Sequence, residues 1–460
     1  MTLYPKQRLT AAKFEGAVNA AVAAAMAEYA PPTPPASQVS TAPRRLILTQ
    51  RSAGFRGWDN PGVSDDQTFH DVRTLLGASG WIRLVFFYDL TDGDCTIEGA
   101  IAAQSASIAS PINPVDEAGA AAPWSTITFN NGGVDVSLRQ QLETAYTTAV
   151  TPVTSITMRK PPLNATPLTG VDGVVGYSKQ NGNTFSDWVW VPPYRRTDGG
   201  SFNLLMTRVK FSGEVAASLA LTSAYDAETN GRFIRSYLNA GDCVATPGSF
   251  VSTSLATLAA GVTVQYIPQS PSVQIGSTGD STMTPPLNHV ALSCFALSSV
   301  AAPIEYCSTA KGGLSAVEYA DQFRQIQPAV DPSIMFLEMW SPNGGRDWEQ
   351  AERGWASNMQ IAADVQRAGG VPVLMTPYPT GRITTAAQEA VRLSIVARCL
   401  AARDAGMRVM DLNALMSDGA SPVAAIKPEY STDGTHPTQD GQALISVRAT
   451  VPMIRSILNI

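Results

Sequence analysis

The feature that most constrains this chain is a rhythm in its last part. Apolar, β-like runs begin at Ser272 (SVQIG), Pro303 (PIEYC), Ile334 (IMFLEMW), Val371 (VPVLMTP) and Met407 (MRVMDL), one roughly every 31–37 residues. Residues 315–327, 348–368 and 384–405 fill the gaps with helical spacing, and 442–458 follow the last run. Strands that are apolar throughout need cover on both faces, and intervening helices supply it. The rhythm therefore predicts a three-layer α/β fold, a doubly wound parallel sheet, over residues 269–460. Ligands of such sheets bind beyond the carboxyl ends of the strands, so chemistry belongs on the residues just after each run.

The rest of the chain has a different texture, and 460 residues are enough for a multidomain protein. In the first segment, residues 1–39, Phe14, Val18, Val22, Met26 and Tyr29 recur at helical spacing and form one apolar stripe. Lys13, Glu15, Asn19 and Glu28 interrupt any continuous apolar run of the kind a secretory signal needs. Pro31, Pro32, Pro34 and Pro35 then favour extended polyproline geometry, so the helix hangs on a stiff tether. It either docks on its own domain or serves self-association, as a homo-oligomer or in a larger assembly. Absence of a leader pattern gives an expectation of a cytoplasmic or virion-associated protein.

Residues 40–268 alternate short β-rich runs with Gly, Pro, Asn and Asp clusters: 46–49, 81–88, 125–129, 187–191, 204–211, 233–238 and 262–267. Several alternate in period two, as in Trp188-Val189-Trp190-Val191. Strands at this density without long helical patterns predict a β-sandwich-like accessory domain, jelly-roll or carbohydrate-binding in kind. Trp188, Trp190 and Tyr194 are candidates for glycan stacking, with core packing as the alternative.

Composition narrows the function classes. The net charge is −6, from 32 basic and 38 acidic side chains, which argues against a nucleic-acid partner held by bulk positive charge. No run of eighteen apolar residues is present, so no helical membrane span is expected. Five scattered cysteines and three histidines, His70, His289 and His436, give no thiolate zinc pattern and no multi-histidine metal centre.

The strand ends carry an ordered set: Gly279-Asp280-Ser281 after the first, Gly312-Gly313-Leu314-Ser315 after the second, Ser341-Pro342-Asn343-Gly344 after the third, and Asp433-Gly434-Thr435-His436-Pro437 before the final helix. A serine nucleophile needs a general base, and the base needs a carboxylate to fix its tautomer and stabilise its charged form. Asp433 and His436, three apart in a tight loop, can offer one imidazole nitrogen to the carboxylate and the other to Ser281. Backbone N–H groups of Ser281 and Gly313 and the side-chain amide of Asn343 would supply donors for a tetrahedral oxyanion. Ser277 also follows the apolar run and competes with Ser281 for the nucleophile's place. Ser281 is preferred, because a turn entering a helix lends donor N–H groups to the oxyanion. His289 reads as structural, His70 has no assigned role, and Asp411 reads as a turn cap.

On these blocks, residues 269–460 resemble the SGNH hydrolases, also called the GDSL esterase/lipase superfamily. The resemblance implies Ser281 as nucleophile, His436 as general base, Asp433 as its orienting acid, and Ser281, Gly313 and Asn343 as the oxyanion hole. It implies hydrolysis of esters without a cofactor, often of acetyl groups on sugars. The chain departs from the family in reading Ser341-Pro342-Asn343-Gly344 where G-x-N-D is usual, and in carrying Gly276-Ser277-Thr278 before the GDS block. The expected function is a serine esterase acting on an acylated glycan or another small ester. The alternatives are an O-acyltransferase with the same triad, and a non-catalytic glycan-binding or structural protein of a virion tail. The layout of helix, tether, β-domain and terminal esterase also resembles tail-associated proteins of bacteriophages that trim cell-surface glycans. Strand order and site are complete within residues 269–460, which predicts that this part alone acts on a small ester.

Overall fold

The computed structural model describes residues 51–53, 67–77, 79–89, 95–110, 112–145, 151–158, 168–169, 175–176, 181–200, 202–213, 219–221, 234–240, 242–246, 251–252, 256–258, 260–269, 272–283, 288–299, 302–310, 312–330 and 332–460. The helix and tether expected over 1–39, and the run at 46–49, lie outside the described residues.

Each of the five apolar runs near the C-terminus becomes a strand. Ile304–Ser308, Val273–Thr278, Ile334–Glu338, Val371–Met375 and Arg408–Met410 stand side by side in that order, every neighbouring pair parallel. The chain steps outward once from Val273–Thr278, then returns past it and runs the other way. The reversal puts the topological switch point between Val273–Thr278 and Ile334–Glu338, where the loops that follow diverge and leave a crevice.

Alternation along the strands builds two cores. Ile334 and Phe336 face one side, with Ile275, Val373 and Met375, against Val290, Cys294, Ile445 and Ile454. Met335 and Leu337 face the other, with Leu374 and Val409, against Tyr319, Phe323, Ile361, Val365 and Ile395. Helices Ala316–Val330, Trp348–Arg367 and Ala386–Asp404 cover that second face. Side-chain oxygens of Asp347, Thr385 and Thr438 accept from the N–H groups of Gln350, Gln388 and Gly441, which fixes where three helices start.

The helical stretch expected over 442–458 is broken into Gln439–Ile445, a π-helical turn Ser446–Thr450, and Val451–Leu458. The wider turn brings Ser446 and Thr450 to helix His289–Leu297, where their hydroxyls lie 2.7 Å from Ser293 Oγ and His289 Nδ1. Buried polar groups need such partners, and a regular helix would not present both to the same neighbour.

The preceding part forms two larger antiparallel sheets. One contains Arg51–Ala53, Ala260–Tyr266, Trp81–Asp89 and Val189–Trp190, with Asn181–Phe185 also on Trp81–Asp89. The other runs Val251–Ser252, Ile234–Ala240, Gln67–Leu75, Asn203–Gly213, Cys95–Ser105, Ser125–Thr126, with Ile156–Met158 added to Cys95–Ser105. A single apolar cluster draws on both, joining Ile82, Leu84, Phe86 and Val264 to Phe69, Ile97, Leu205, Val209 and Phe211. Two long strands were not legible as runs. Gln67–Leu75 buries His70, Asp71 and Arg73, and Cys95–Ser105 is alanine-rich, so neither has a strong strand signature. Trp188 is core: it is 3% exposed, its Nε1 donates to Val136 O at 3.0 Å, and the Arg83 guanidinium stacks on its ring.

The two parts interlock. Leu76 and Phe202 belong to the apolar cluster of the parallel sheet, and Cys307 belongs to the cluster of the antiparallel sheets. Glu305, on the edge strand Ile304–Ser308, accepts hydrogen bonds at Oε2 from Leu76 N (3.0 Å) and Tyr266 Oη (2.5 Å). Among the described residues no helix is long and apolar enough to cross a membrane.

Candidate active site

The ends of the first three strands and the loop before the last helices converge at the switch point. Ser281 sits in the turn Asp280–Met283 that leaves the strand Val273–Thr278, closed by Met283 N donating to Asp280 O at 3.1 Å. Its Oγ lies 2.8 Å from His436 Nε2. On the other side of the ring, Nδ1 lies 2.6 Å from Asp433 Oδ2. With Nδ1–H given to the carboxylate, Nε2 is left as acceptor for the serine hydroxyl.

The loop carrying Asp433 and His436 is held by its own backbone. Asp433 Oδ1 accepts from Thr435 N and His436 N, both at 2.8 Å, and Gly434 turns the chain at φ +72°, in the region that favours glycine. Residues 380–381 brace it: Gly381 N donates to Gly434 O at 2.7 Å, and the hydroxyls of Thr380 and Thr435 meet at 3.1 Å. Partial burial opposes ionisation of Asp433. The bonds from the His436 ring and backbone and from Thr435 outweigh it and hold this carboxyl far below its usual range. His436 and Asp433 side chains are 38% and 53% exposed, so the site opens to solvent.

Gly313 lies in the loop after Ile304–Ser308 and adopts φ +82°, a conformation that turns the backbone sharply. The loop after Ile334–Glu338 brings Asn343 beside Asp280. Its Nδ2 donates to Leu314 O at 3.2 Å and to Asp280 Oδ2 at 3.4 Å, both long. Its Oδ1 accepts from Arg382 Nη1 at 2.8 Å. The amide is thus clamped between the glycine loop, the nucleophile turn and an arginine. To donate to an oxyanion, the amide would have to give up one of those two long bonds.

Ser277, the rival nucleophile, stays within the strand. It is fully buried, and its Oγ lies 2.8 Å from Tyr306 Oη. The extra Gly276-Ser277-Thr278 simply lengthens the strand, and the turn begins afterwards. His289 is buried, and burial drives its pKa down to about 3, a neutral ring with Nδ1 on Thr450. Asp411 caps the short helix Leu412–Met416 by accepting from Ala414 N. His70 is buried beneath Arg208, whose Nε lies 3.4 Å from its Nδ1.

Three contributors escaped sequence reasoning. Glu338 ends its strand under the turn Asp280–Met283: Oε2 accepts from Asp280 N (2.7 Å) and Oε1 from Thr282 Oγ1 (2.6 Å). Ser341 Oγ donates to Asp280 Oδ2 at 2.6 Å. Arg382 supports Asn343. Glu338 stands out in the sequence as an acid inside an otherwise apolar run, but its role depends on contacts that the run does not show. Burial first, and then the Asp280 carboxyl beside it, push Glu338 well above the usual carboxylate range. Burial raises Asp280 as well, and donors from Ser341 and Thr282 and the nearby His436 offset that only in part. Asp280 collects three donors, from Thr282 N, Ser341 Oγ and Asn343 Nδ2, and Glu338 only two, so the geometry favours the charge of the pair on Asp280. Among the described residues no three His, Cys, Asp or Glu side chains converge as a metal set.

No family model matches the chain, and no curated protein matches it. Among solved structures, the psychrotrophic esterase EstA from Pseudoalteromonas is 16% identical, covering 41% of this chain and 99% of its own, at a TM-score of 0.32. An acetyl xylan esterase from Geobacillus stearothermophilus is 16% identical over 40% of this chain and 94% of its own, at 0.31. A GDSL-like lipase from Bacteroides thetaiotaomicron is 15% identical over 40% and 87%, at 0.31.

Proposed function

We propose that this chain is a serine carboxylic ester hydrolase that removes acyl groups, most simply acetyl, from a carbohydrate. The observation that carries the reading is the unbroken line from Ser281 Oγ through His436 to Asp433, at 2.8 and 2.6 Å. Ser281 attacks the ester carbonyl while its proton passes to His436 Nε2. Asp433, kept ionised, stabilises the imidazolium and holds its tautomer. The tetrahedral oxyanion is met by backbone N–H groups of Ser281 and Gly313 and by the Asn343 amide. Nε2–H then protonates the departing alcohol, and a water, deprotonated by His436, releases the acid and restores Ser281.

The carbohydrate preference rests on the resemblance to SGNH hydrolases and on the accessory sheets, read as a β-sandwich-like domain over residues 40–268. Among the described residues, Trp190 and Trp348, 48% and 54% exposed, are large aromatics available for sugar stacking. Acetate release from a panel of acetylated polysaccharides and aryl acetates tests the proposal, with Ser281→Ala as control. Release from none of them, by folded wild-type protein, overturns it. Repeating the reaction with an added acceptor alcohol separates hydrolysis from acyl transfer.

A further inference from the structure

We propose that Glu338 is a positioning residue that, in its neutral form, sets the geometry of the turn carrying Ser281; this rests on the ester-hydrolase reading above. One carboxyl group fastens both chain neighbours of the nucleophile. Its Oε2 takes the N–H of Asp280 and its Oε1 meets the hydroxyl of Thr282, so Ser281 is pinned from both sides. The fit is close: a Cβ on Gly279 would strike Glu338 Oε2, the flank of Met283 and Glu338 Cβ. The glycine of the GDS block thus leaves the room that Glu338 and Met283 occupy.

The surroundings dictate the neutral form. Glu338 keeps some accessible surface but is crowded by protein, and crowding governs how well its charge is solvated. It lines a small cavity with Thr282, Met283, His289 and Tyr378. The titratable groups facing it are Asp280 from the nucleophile turn, Tyr319 from helix Ala316–Val330, Tyr378 from the loop after Val371–Met375, and His289 from helix His289–Leu297. Asp433 and His436 lie beyond Asp280. Tyr319 Oη donates to the Glu338 backbone carbonyl, burial holds both tyrosines protonated, and His289 is neutral. Among the described residues none of these is a resident cation, and the Asp280 carboxyl beside it is a group of like charge. A protonated Oε1 can instead donate to Thr282 Oγ1 while Oε2 keeps the Asp280 N–H.

A glutamine has the same two functions, a carbonyl oxygen and an N–H donor, but cannot ionise. Full-length Glu338→Gln and Glu338→Ala are compared on an aryl acetate across pH. Loss of the carboxyl lets the serine drift, so Glu338→Ala should lower kcat by about 10²-fold with KM little changed. Glu338→Gln should keep kcat within roughly threefold near pH 7. It should also hold its rate at alkaline pH, where ionisation of Glu338 places a second negative charge under the oxyanion and the wild type declines. Infrared spectra near pH 7 should show a protonated-carboxyl stretch in the wild type that is missing from Glu338→Gln. The proposal is overturned by a glutamine variant as impaired as the alanine one, by a folded alanine variant with wild-type kcat, or by unchanged infrared spectra. If Glu338→Ala does not fold, the glutamine pH profile and the infrared band still decide. If wild-type protein hydrolyses no ester, the function falls, while the infrared band still reports whether Glu338 is neutral.

Discussion

Ser341 Oγ donates to Asp280 Oδ2 at 2.6 Å, tying the loop after the third strand to the turn that holds the nucleophile. Ser341 lies where the chain departs from the G-x-N-D pattern of SGNH hydrolases, and the same hydroxyl contacts Leu314 O and Asn343 N, at 3.0 and 3.2 Å. One side chain thus connects the GDS, glycine and asparagine blocks. A glycine there would lack this hydroxyl, which donates to Asp280 and accepts from Asn343 N. We expect Ser341→Ala to lower turnover and stability together, since a hydrogen bond to a charged group contributes about 1.5–3 kcal/mol. Thermal unfolding and kcat on an aryl ester check this; wild-type values in both would remove Ser341 from the site.

Asn343 and Arg382 should act as one unit. Asn343→Ala should cut kcat about 10²-fold, the usual loss for one oxyanion donor. Arg382 fixes the amide through Oδ1, so Arg382→Ala should cost less, and nothing further once Asn343 is gone. A double-mutant cycle measures this. Additive losses would show that Arg382 acts on its own, independently of the amide.

Glu305 gives the junction of the two parts a pH dependence. Burial raises its pKa to about 8, against the donors from Tyr266, Leu76, Tyr306 and Gly77 that favour the charged form. A raised folded pKa means that the folded state binds the proton more tightly. The stabilisation is full below the unfolded carboxyl value, near 4.5, and is lost as pH rises through about 8. The slope between those limits reaches at most about 1.4 kcal/mol per pH unit. Glu305→Gln should flatten it in melting curves taken from about pH 5 to pH 9. A slope unchanged in that variant would assign the effect to another group.

The same junction bears on whether residues 269–460 stand alone. The fragment lacks Leu76 and Phe202 from its own apolar cluster and leaves Cys307 and Glu305 uncovered. Exposing that surface removes several buried side chains, each contributing about 1.5–3 kcal/mol. We therefore expect the isolated fragment to be markedly less stable than the whole chain, and its activity on a small ester to fall with its folded fraction. Equal melting temperatures for fragment and whole chain would show the junction to be dispensable.

What was legible in the sequence was local or periodic. The five apolar runs announced their strands because burial on both faces leaves no polar alternation to hide them. Ser281, Asp433 and His436 were legible because each sits in a short block with its neighbours. Glu338 and Ser341 were not, since their roles depend on contacts with Asp280 across about sixty positions of chain. Strands Gln67–Leu75 and Cys95–Ser105 were missed for a different reason. They bury His70, Arg73 and Gln104, and pairing to partners far away in sequence outweighs their weak intrinsic signal.

The nucleophile can be identified directly. Ser277 and Ser281 are four positions apart, and only Ser281 has its hydroxyl on His436. Ser277 is sealed in the strand with its Oγ on Tyr306, and burial pushes that phenol up to about 12, so no base is at hand. A fluorophosphonate ester should therefore attach covalently to Ser281 alone, the phosphorus–fluoride bond breaking as the serine oxygen bonds to phosphorus. Ser281→Ala should abolish labelling, and Ser277→Ala should retain it provided that the strand still folds. His436→Ala should slow labelling and ester hydrolysis by roughly three orders of magnitude, and Asp433→Ala by somewhat less. Circular dichroism should report native secondary structure in both variants, because the two side chains lie at the surface. Mass spectrometry of the labelled peptide reads the site. A label on Ser277, or full activity in folded His436→Ala, would break the proposed triad.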